Sequence, residues 1–574
     1  MKKANINKPI SPQKQNIKKN SPAKTSYSWW MIALCGMAAF VAFIPALQNE
    51  LTNWDDPNYI VDNPLIRSLS SENIKRIFTE SYFGNYQPLH ILSYAIEYHF
   101  FGISPKGYHA VSIILHALCA ISVFIFVSKL SKNNYIALGA TLLFALSPLR
   151  TESVCWASER KDLLYAFFFF IAAIYYIKYL QKDMAAKYYF LTLLFFILAV
   201  LSKVMAVSFV PVMFLLDYWY QRKWNAKLIL DKIIFVVVSL TMGIVELKVV
   251  KDEGTIDATG QYNFMERIFF ASHNCLMYVV KMIVPFNQSA YYPYPERVGQ
   301  GIPMQYYIAI IFPLVLIGLL IYSFKKNKTI FFGLAFFIVT VFLVLMLVPV
   351  GPTIFSERYT YIPCIGIYLI LCTFLYEALQ KNKQQIAIYL SCVGIFSVIY
   401  FTLTNARCKV WKTSITLWTD ATQQFPTAGH ALNNLGDAYY KLGQIPQAEE
   451  NFNSAIKYNP NYAQAWFNRA NCYGQTGKYQ AALNDLNKAI SLDQKYTDAY
   501  TKRGQAYSML NQPEAAKADY AKSLQLKPNN PEIYYNLGVM YINMNNKQEA
   551  CVNFGKAASM NFDAAIKAYN EVCK

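Results

Sequence analysis

Trp29–Leu47 reads WWMIALCGMAAFVAFIPAL and is followed at once by Asn53-Trp54-Asp55-Asp56-Pro57-Asn58-Tyr59-Ile60. The nineteen apolar residues are enough to cross a bilayer as a helix. Residues 1 to 27 hold seven lysines and no acid, so the positive-inside rule keeps that tail cytoplasmic. The run continues without a small-residue cleavage site and further apolar segments follow, so it is read as a retained span and not a signal peptide. The acidic pair Asp55-Asp56 then faces the extracytoplasmic compartment. An acidic pair at the outer membrane surface is a candidate active site.

The 574-residue chain is 55% hydrophobic and 16% aromatic, with a mean hydropathy of +0.20. That composition excludes a single soluble domain. The formal charge of +19 would suggest nucleic acid in a soluble protein. Here many lysines fall in short loops between apolar segments, where membrane orientation explains them, and no nucleic-acid partner is expected. The eleven cysteines contain no Cys-x-x-Cys. Several (Cys35, Cys119, Cys364, Cys372, Cys392) lie within apolar runs, so neither a zinc site nor a disulfide framework is expected.

Apolar segments near 29–47, 108–128, 135–149, 162–180, 187–202, 204–220, 233–250, 305–324, 329–350, 361–379 and 386–404 give about eleven spans. Alternation puts Lys129/Lys132, Lys178/Lys182/Lys187, Arg222/Lys223/Lys227/Lys232, Lys325/Lys326/Lys328 and Lys381/Lys383 on the side of the N-terminal tail. Residues 264–284 are also apolar, but Glu266, Arg267, His273 and Lys281 interrupt them. They are read as an amphipathic helix on the outer surface. An odd number of spans then places everything after Asn405 outside. The expected fold is all-α, a polytopic membrane bundle followed by an extracytoplasmic solenoid.

The solenoid follows from a repeat of 34 residues, the period of tetratricopeptide helix pairs, with copies starting at 429, 463, 497 and 531. Leu435-Gly436, Arg469-Ala470, Arg503-Gly504 and Leu537-Gly538 are equivalent, as are Tyr439, Tyr473, Tyr507 and Tyr541. Ala448, Ala482, Ala516 and Ala550 are expected to start the second helices. Phe452, Leu486, Tyr520 and Phe554 supply their large core residue, and Pro460 and Pro528 end units. Trp418, Ala421 and Pro426 keep the phase upstream as a half-repeat. The domains expected are a basic tail at 1–28, a membrane domain at 29–405 with its first loop at 48–107, a linker at 406–428, four repeats at 429–564 and a capping helix at 565–574.

The first loop, about sixty residues long, is expected to be folded. Ser71 to Phe78 reads as a capped amphipathic helix and Leu89 to Phe101 as a second one, both lying at the membrane surface. Pro57 is expected to hold Asp56 in extended geometry, so that the two carboxylates point to opposite faces and do different jobs. One would be a base and the other its orienting partner, unless the pair is simply an Asp-Asp-Pro turn. Other outward turns are charged as well: Thr151-Glu152-Ser153, Ser158-Glu159-Arg160-Lys161-Asp162, Ser202-Lys203 and Ser356-Glu357-Arg358-Tyr359. Arginine and lysine there suit a phosphate, or else they snorkel at the interface. His90, His99, His109 and His116 do not have metal-ligand spacing, and no metal is expected.

At these residues the chain resembles the tetratricopeptide-containing transmembrane O-mannosyltransferases, which are GT-C glycosyltransferases. The marks are Trp54-Asp55-Asp56 with Tyr59-Ile60, Tyr86-Gln87-Pro88-Leu89, Phe101-Gly102, Gly107-Tyr108-His109, Ser147-Pro148 before Thr151-Glu152, Trp156, Ser158 to Asp162, Leu201-Ser202-Lys203 and Glu357-Arg358-Tyr359. The resemblance covers nearly the whole length. It implies a polyprenyl- or dolichyl-phosphate sugar donor, usually mannose, no further cofactor, and transfer to serine or threonine of a polypeptide. It implies a bacterial inner membrane, or the endoplasmic reticulum in a eukaryote. Two positions depart from the pattern: Val204 stands where an acid is common, and Ser158-Glu159-Arg160-Lys161-Asp162 replaces a more usual Ser-Gly-Arg-Ala-Asp.

The assignment is Asp55 as base and Asp56 as its orienting partner. Arg160, Lys203 and Arg358 are expected at the donor phosphate, supported by Glu152, Asp162, Glu357 and Tyr359. The repeats would present the polypeptide acceptor. Two alternatives stand beside this, a non-enzymatic membrane scaffold that recruits partners through the repeats and a lipid-linked polysaccharide polymerase or ligase.

Overall fold

A computed structural model describes residues 28–252, 262–348 and 351–574. The expected basic tail therefore lies almost wholly outside the described residues. Within them the chain is mostly helical, and one antiparallel strand pair, Tyr292–Pro293 with Thr353–Phe355, sets Tyr292 opposite Phe355.

Among the described residues six helices are long and apolar enough to cross a membrane: Trp29–Gln48, Pro105–Ser131, Ala157–Gln181, Ala226–Asp252, Met304–Lys326 and Lys383–Val410. Five shorter apolar helices, Asn134–Ala145, Ala186–Ser202, Val204–Trp219, Lys328–Val344 and Cys364–Leu379, fall on the remaining expected spans. This is the architecture of a multi-pass membrane protein. Large apolar side chains such as Leu240, Ile244, Leu314, Ile321, Ile395 and Val398 are exposed on three of these helices. A soluble surface avoids such continuous apolar faces, whereas lipid covers them without cost.

The bundle packs around Pro105–Ser131, which touches Trp29–Ala42, Asn134–Ala145 and Arg160–Gln181. Elsewhere, Lys328–Val341 and Cys364–Leu379 cross at Gly333 and Gly366, where a Cβ on either glycine would run into the other helix's backbone. Small residues let membrane helices approach this closely, and the packing of the backbones replaces the hydrophobic driving force that lipid removes. Residues 264–284 form a helix, Phe264–Ile283, opened by a capping box between Asn263 and Glu266. It packs against Thr353–Phe355 and Glu357–Thr360.

The first loop is folded, as expected. Its helices are Ser71–Thr79, capped by Ser70, and Pro88–Phe101. A small core of Tyr59, Ile60, Leu65, Ile66, Ile77, Ile91 and Tyr94 closes it against Ala157.

The last membrane helix runs on to Val410, five residues past its expected end at Asn405, and Ser414–Gln424 follows as the half-repeat. First helices of the repeats begin at Gly429, Ala463, Thr497 and Pro531, in the expected phase. Second helices begin at Ile445, Tyr479, Pro513 and Lys547, three residues before the alanines expected to start them. Those alanines instead sit in the buried second turn. A Cβ on Gly436 would lie 2.6 Å from the Phe452 ring and one on Gly504 2.7 Å from the Tyr520 ring, which is why the first helix needs its small residue. The final helix is Asp563–Val572. A disulfide, Cys551–Cys573, ties it to the last repeat. The sequence reading expected no disulfide framework: these two cysteines are 22 residues apart with no motif between them, and only the return of the capping helix brings them together.

Candidate active site

Asp55 and Asp56 are adjacent, and their surroundings differ completely. Asp56 is buried, and its carboxylate accepts four hydrogen bonds: from Thr52 N (2.7 Å) and Thr52 Oγ1 (3.1 Å) on Oδ2, and from Ser158 N (3.0 Å) and Ser158 Oγ (2.5 Å) on Oδ1. It joins the first loop to the turn before Arg160–Gln181. Burial pushes its pKa up, while the four donors pull it back.

The backbone expectation for Asp56 is overturned. It is helical (φ −60°, ψ −36°), not extended, and begins the turn Pro57–Val61, with Tyr59 N donating to Asp55 O. The preference of a pre-proline residue for extended geometry is modest, and the four side-chain hydrogen bonds plus the turn outweigh it. The two side chains nonetheless meet different surroundings.

Asp55 is partly buried and lines a cavity of about 530 Å³ together with Trp54, Phe83, Tyr291, His430, Asn434 and Asn468. Burial raises its pKa to about 6, opposed by Lys161 and Arg358 and reinforced by Glu159 and Asp56. A carboxylate with that pKa can accept a proton close to neutral pH.

Behind Asp55 lies a charge cluster built from three separate turns. Glu159 stands 3.1 Å from Lys161 Nζ, 3.7 Å from Lys203 Nζ and 3.6 Å from Arg358 Nε. Lys203 also contacts Asp162 at 2.6 Å, and Ser153 donates to the same carboxylate at 3.1 Å. Arg358 pairs with Glu152, which further accepts from Arg358 N at 2.9 Å. The Arg358 guanidinium lies 5.4 Å from the Trp156 ring and 4.9 Å from Tyr359, and the Lys203 ammonium 5.6 Å from Tyr359. Three cations are thus held by carboxylates and aromatic faces beside one another and beside Asp55.

The expected residues distribute as follows. Lys203, Arg358, Glu152, Asp162 and Tyr359 come together. Glu357 turns away, accepting from Tyr292 Oη at 2.5 Å, with burial raising its pKa to about 7 against Arg407 and Lys281. Arg160 also belongs elsewhere: it is fully buried, paired with Glu97, donates to Tyr108 O at 2.7 Å and lies 4.7 Å from the Tyr94 ring. Its neighbour Lys161 takes the place in the cation group. One residue of sequence turns a helical side chain about 100°, so spacing alone does not say which of Arg160 and Lys161 faces the cluster.

Sequence reasoning also missed the anchors. Trp156 stacks on Trp54 at 4.3 Å and on Trp411 at 5.7 Å, and Trp54 meets Trp418 at 4.9 Å. Asn53 donates to Asn434 O at 2.9 Å and to Asp437 at 2.8 Å, and accepts from Trp418 Nε1 at 2.8 Å. These contacts fix the first repeat over the first loop. Tryptophans spaced through unrelated segments were the only available signal.

Comparison with known proteins agrees with the repeats. Residues 414–497 match a tetratricopeptide repeat model, 509–545 a second TPR repeat model and 531–563 a third. The Caenorhabditis elegans protein O-mannosyl-transferase F38B6.6 is 24% identical over 437 residues, 72% of this chain and 60% of that protein. Further curated relatives of this chain also carry the name protein O-mannosyl-transferase. The human protein O-mannosyl-transferase TMTC1 is 31% identical over 161 residues, 26% of this chain and 18% of its own length. The chain thus spans less than two thirds of these relatives' lengths. Among solved structures, that of MamA is 26% identical, covers 26% of this chain and 86% of its own, and has a TM-score of 0.24.

Proposed function

We propose that this protein is a membrane glycosyltransferase that moves a sugar, mannose by its relatives' names, from a polyprenyl- or dolichyl-phosphate donor to serine or threonine of a polypeptide. The reaction takes place on the extracytoplasmic side, where the lysine loops of the sequence put both the first loop and the repeats. One observation carries the reading: of two adjacent aspartates, one is a fully hydrogen-bonded anchor and the other lines the cavity beneath the repeats.

The acceptor hydroxyl enters that cavity and gives its proton to Asp55 as its oxygen attacks the anomeric carbon. The bond from that carbon to the phosphate oxygen breaks, and its electron pair leaves with the lipid phosphate. Attack opposite the leaving group inverts the centre. Lys161, Lys203 and Arg358 offset the charge that builds on the phosphate, and their ion pairs hold them in place before the donor arrives. Asp56 takes no proton; it fixes the loop that aims Asp55. The scaffold alternative gives no task to a base of raised pKa facing an open cavity.

The test is transfer of labelled mannose from a lipid-phosphate donor to a serine- or threonine-bearing peptide by purified protein in nanodiscs. Asp55→Asn keeps the shape and removes the base, and a loss of about 10²- to 10⁴-fold in turnover is expected, with donor binding retained. Wild-type turnover in this variant would remove Asp55 from the chemistry.

A further inference from the structure

The end of the membrane bundle opposite Asp55 holds a second charge cluster, and sugar transfer gives it no task. Arg160–Gln181 begins beside the first cluster and runs 22 residues, about 33 Å at the helical rise, to the other end. There a cavity of about 320 Å³ is lined by Leu180, Met184, Arg222, Lys223, Asn225 and Lys227. Among the described residues no acid lines it. The distribution of lysines expects this face to be the cytoplasmic one.

The acids nearby are already committed. Asp231 accepts from Arg222 Nη2 at 2.5 Å and from Tyr179 Oη at 2.8 Å. Asp217 accepts from Tyr176 Oη at 2.8 Å, pairs with Lys232 and lies 3.6 Å from Arg222 Nη1. Arg222 and Lys232 thus balance Asp217 and Asp231. Lys223 and Lys227 are left over: both are exposed, and neither has an ion pair among the described residues. The Arg222 side chain is only 6% exposed, and its Nε and Nη1 have no hydrogen-bond partner among the described residues. A guanidinium fixed by Asp231 that still has donors to offer suits the oxygens of a phosphate. Asn225 Oδ1 accepts from Leu228 N at 3.0 Å, so the amide hydrogens are the main thing that side chain has left to give.

The surroundings point to a lipid. Trp224, Ile229 and Leu230 are 73%, 56% and 60% exposed and alternate with the cations where Ala226–Asp252 enters the bundle. Tryptophan and long apolar side chains beside lysines belong in the headgroup layer of a membrane. We propose that this cavity binds the phosphate headgroup of an anionic phospholipid, with Leu180 and Met184 as its apolar wall, and that the lipid braces the spans that end there. Ala226–Asp252 has most to gain, since only 6% of its apolar window is buried. The headgroup neutralises Lys223 and Lys227, which no acid of the chain does.

The experiment is native mass spectrometry of the full-length protein in detergent, titrated with phosphatidylglycerol, phosphatidylcholine or glycerol phosphate. Phosphatidylglycerol is expected to bind wild-type protein about tenfold more tightly than phosphatidylcholine, a result that depends on no variant folding. Lys223→Gln/Lys227→Gln is expected to remove about tenfold of that affinity, and both side chains are exposed, so the variant keeps its fold. Lys325→Gln/Lys326→Gln, which removes two charges from another loop of the same face, is expected to leave the affinity unchanged. Equal affinity for the two lipids overturns the site, and so does an equal loss in the two lysine variants, which would make the attraction one of general surface charge. Glycerol phosphate binding as tightly as phosphatidylglycerol overturns the lipid as occupant in favour of a soluble phosphate.

Discussion

Ion pairs occur in both halves of this protein and mean different things in each. In the repeats, Arg469 pairs with Asp485 and Arg503 with Asp519, each at 2.7 Å, and each arginine reaches the asparagine one helix back, Asn453 or Asn487, at 2.7 Å. The same pair recurs 34 residues later because the same backbone recurs. In the membrane domain, Glu152, Glu159, Asp162, Lys161, Lys203 and Arg358 come from three turns with no period, and all but the Arg358 side chain are less than a tenth exposed. Repetition with an open edge marks a structural bond between repeats. Convergence under cover, next to a carboxylate that opens on a cavity, marks a site.

The sharpest way to break this contrast is Arg358→Ala, which leaves Glu152 and Glu159 buried without their arginine. A loss of about 3 to 5 kcal/mol of stability is expected, with donor binding lost as well. Thermal unfolding of the purified protein measures the first part, and a loss below about 1 kcal/mol would put this cluster in the same class as the repeat pairs. Asp56→Asn comes next: its amide nitrogen must face either the Thr52 or the Ser158 donors, and about 2 to 3 kcal/mol is expected to go. A stability equal to that of Asp55→Asn would erase the distinction between the two aspartates.

The pH dependence of transfer sharpens the comparison further. The base works as a carboxylate, and the Asp55 pKa is raised to about 6 by burial. Turnover should therefore fall about tenfold per pH unit below about 6, and not below the ordinary carboxylate range near 4. A profile flat down to pH 5 would exclude Asp55 as that base. The smallest effect is expected from Arg503→Ala in the repeats, about 1 to 2 kcal/mol, because a single carboxylate, the largely buried Asp519, loses a partner that is itself the more exposed of the two. Transfer should be unaffected by it, as peptide turnover at saturating donor would show.

Much of this was legible in sequence where a short-range rule applies. The first helices of the repeats start where the period puts them, and the period marks Gly436 and Gly504, over which the Phe452 and Tyr520 rings lie. The helix at 264–284 is legible from its periodicity, and its capping box and contacts to Glu357–Thr360 come from the structure. Asp55 was selected by its company. The pre-proline rule misled at Asp56, because it weighs one residue's backbone and cannot count donors from Thr52 and Ser158, the latter 102 residues away.

The sequence by itself determined the local and periodic features: apolar runs long enough to span, lysines that orient them, and a repeat that must stack to bury its face. These depend on spacing along the chain, which the sequence states directly. Only the tertiary structure decided that Lys161 and not Arg160 joins Lys203 and Arg358, that Asp56 is bound and Asp55 open, and that Asn53 and Trp418 fix the first repeat over the cavity. Each of those outcomes depends on which side chains meet across long separations, and on a helix a single residue's step rotates the answer by about 100°.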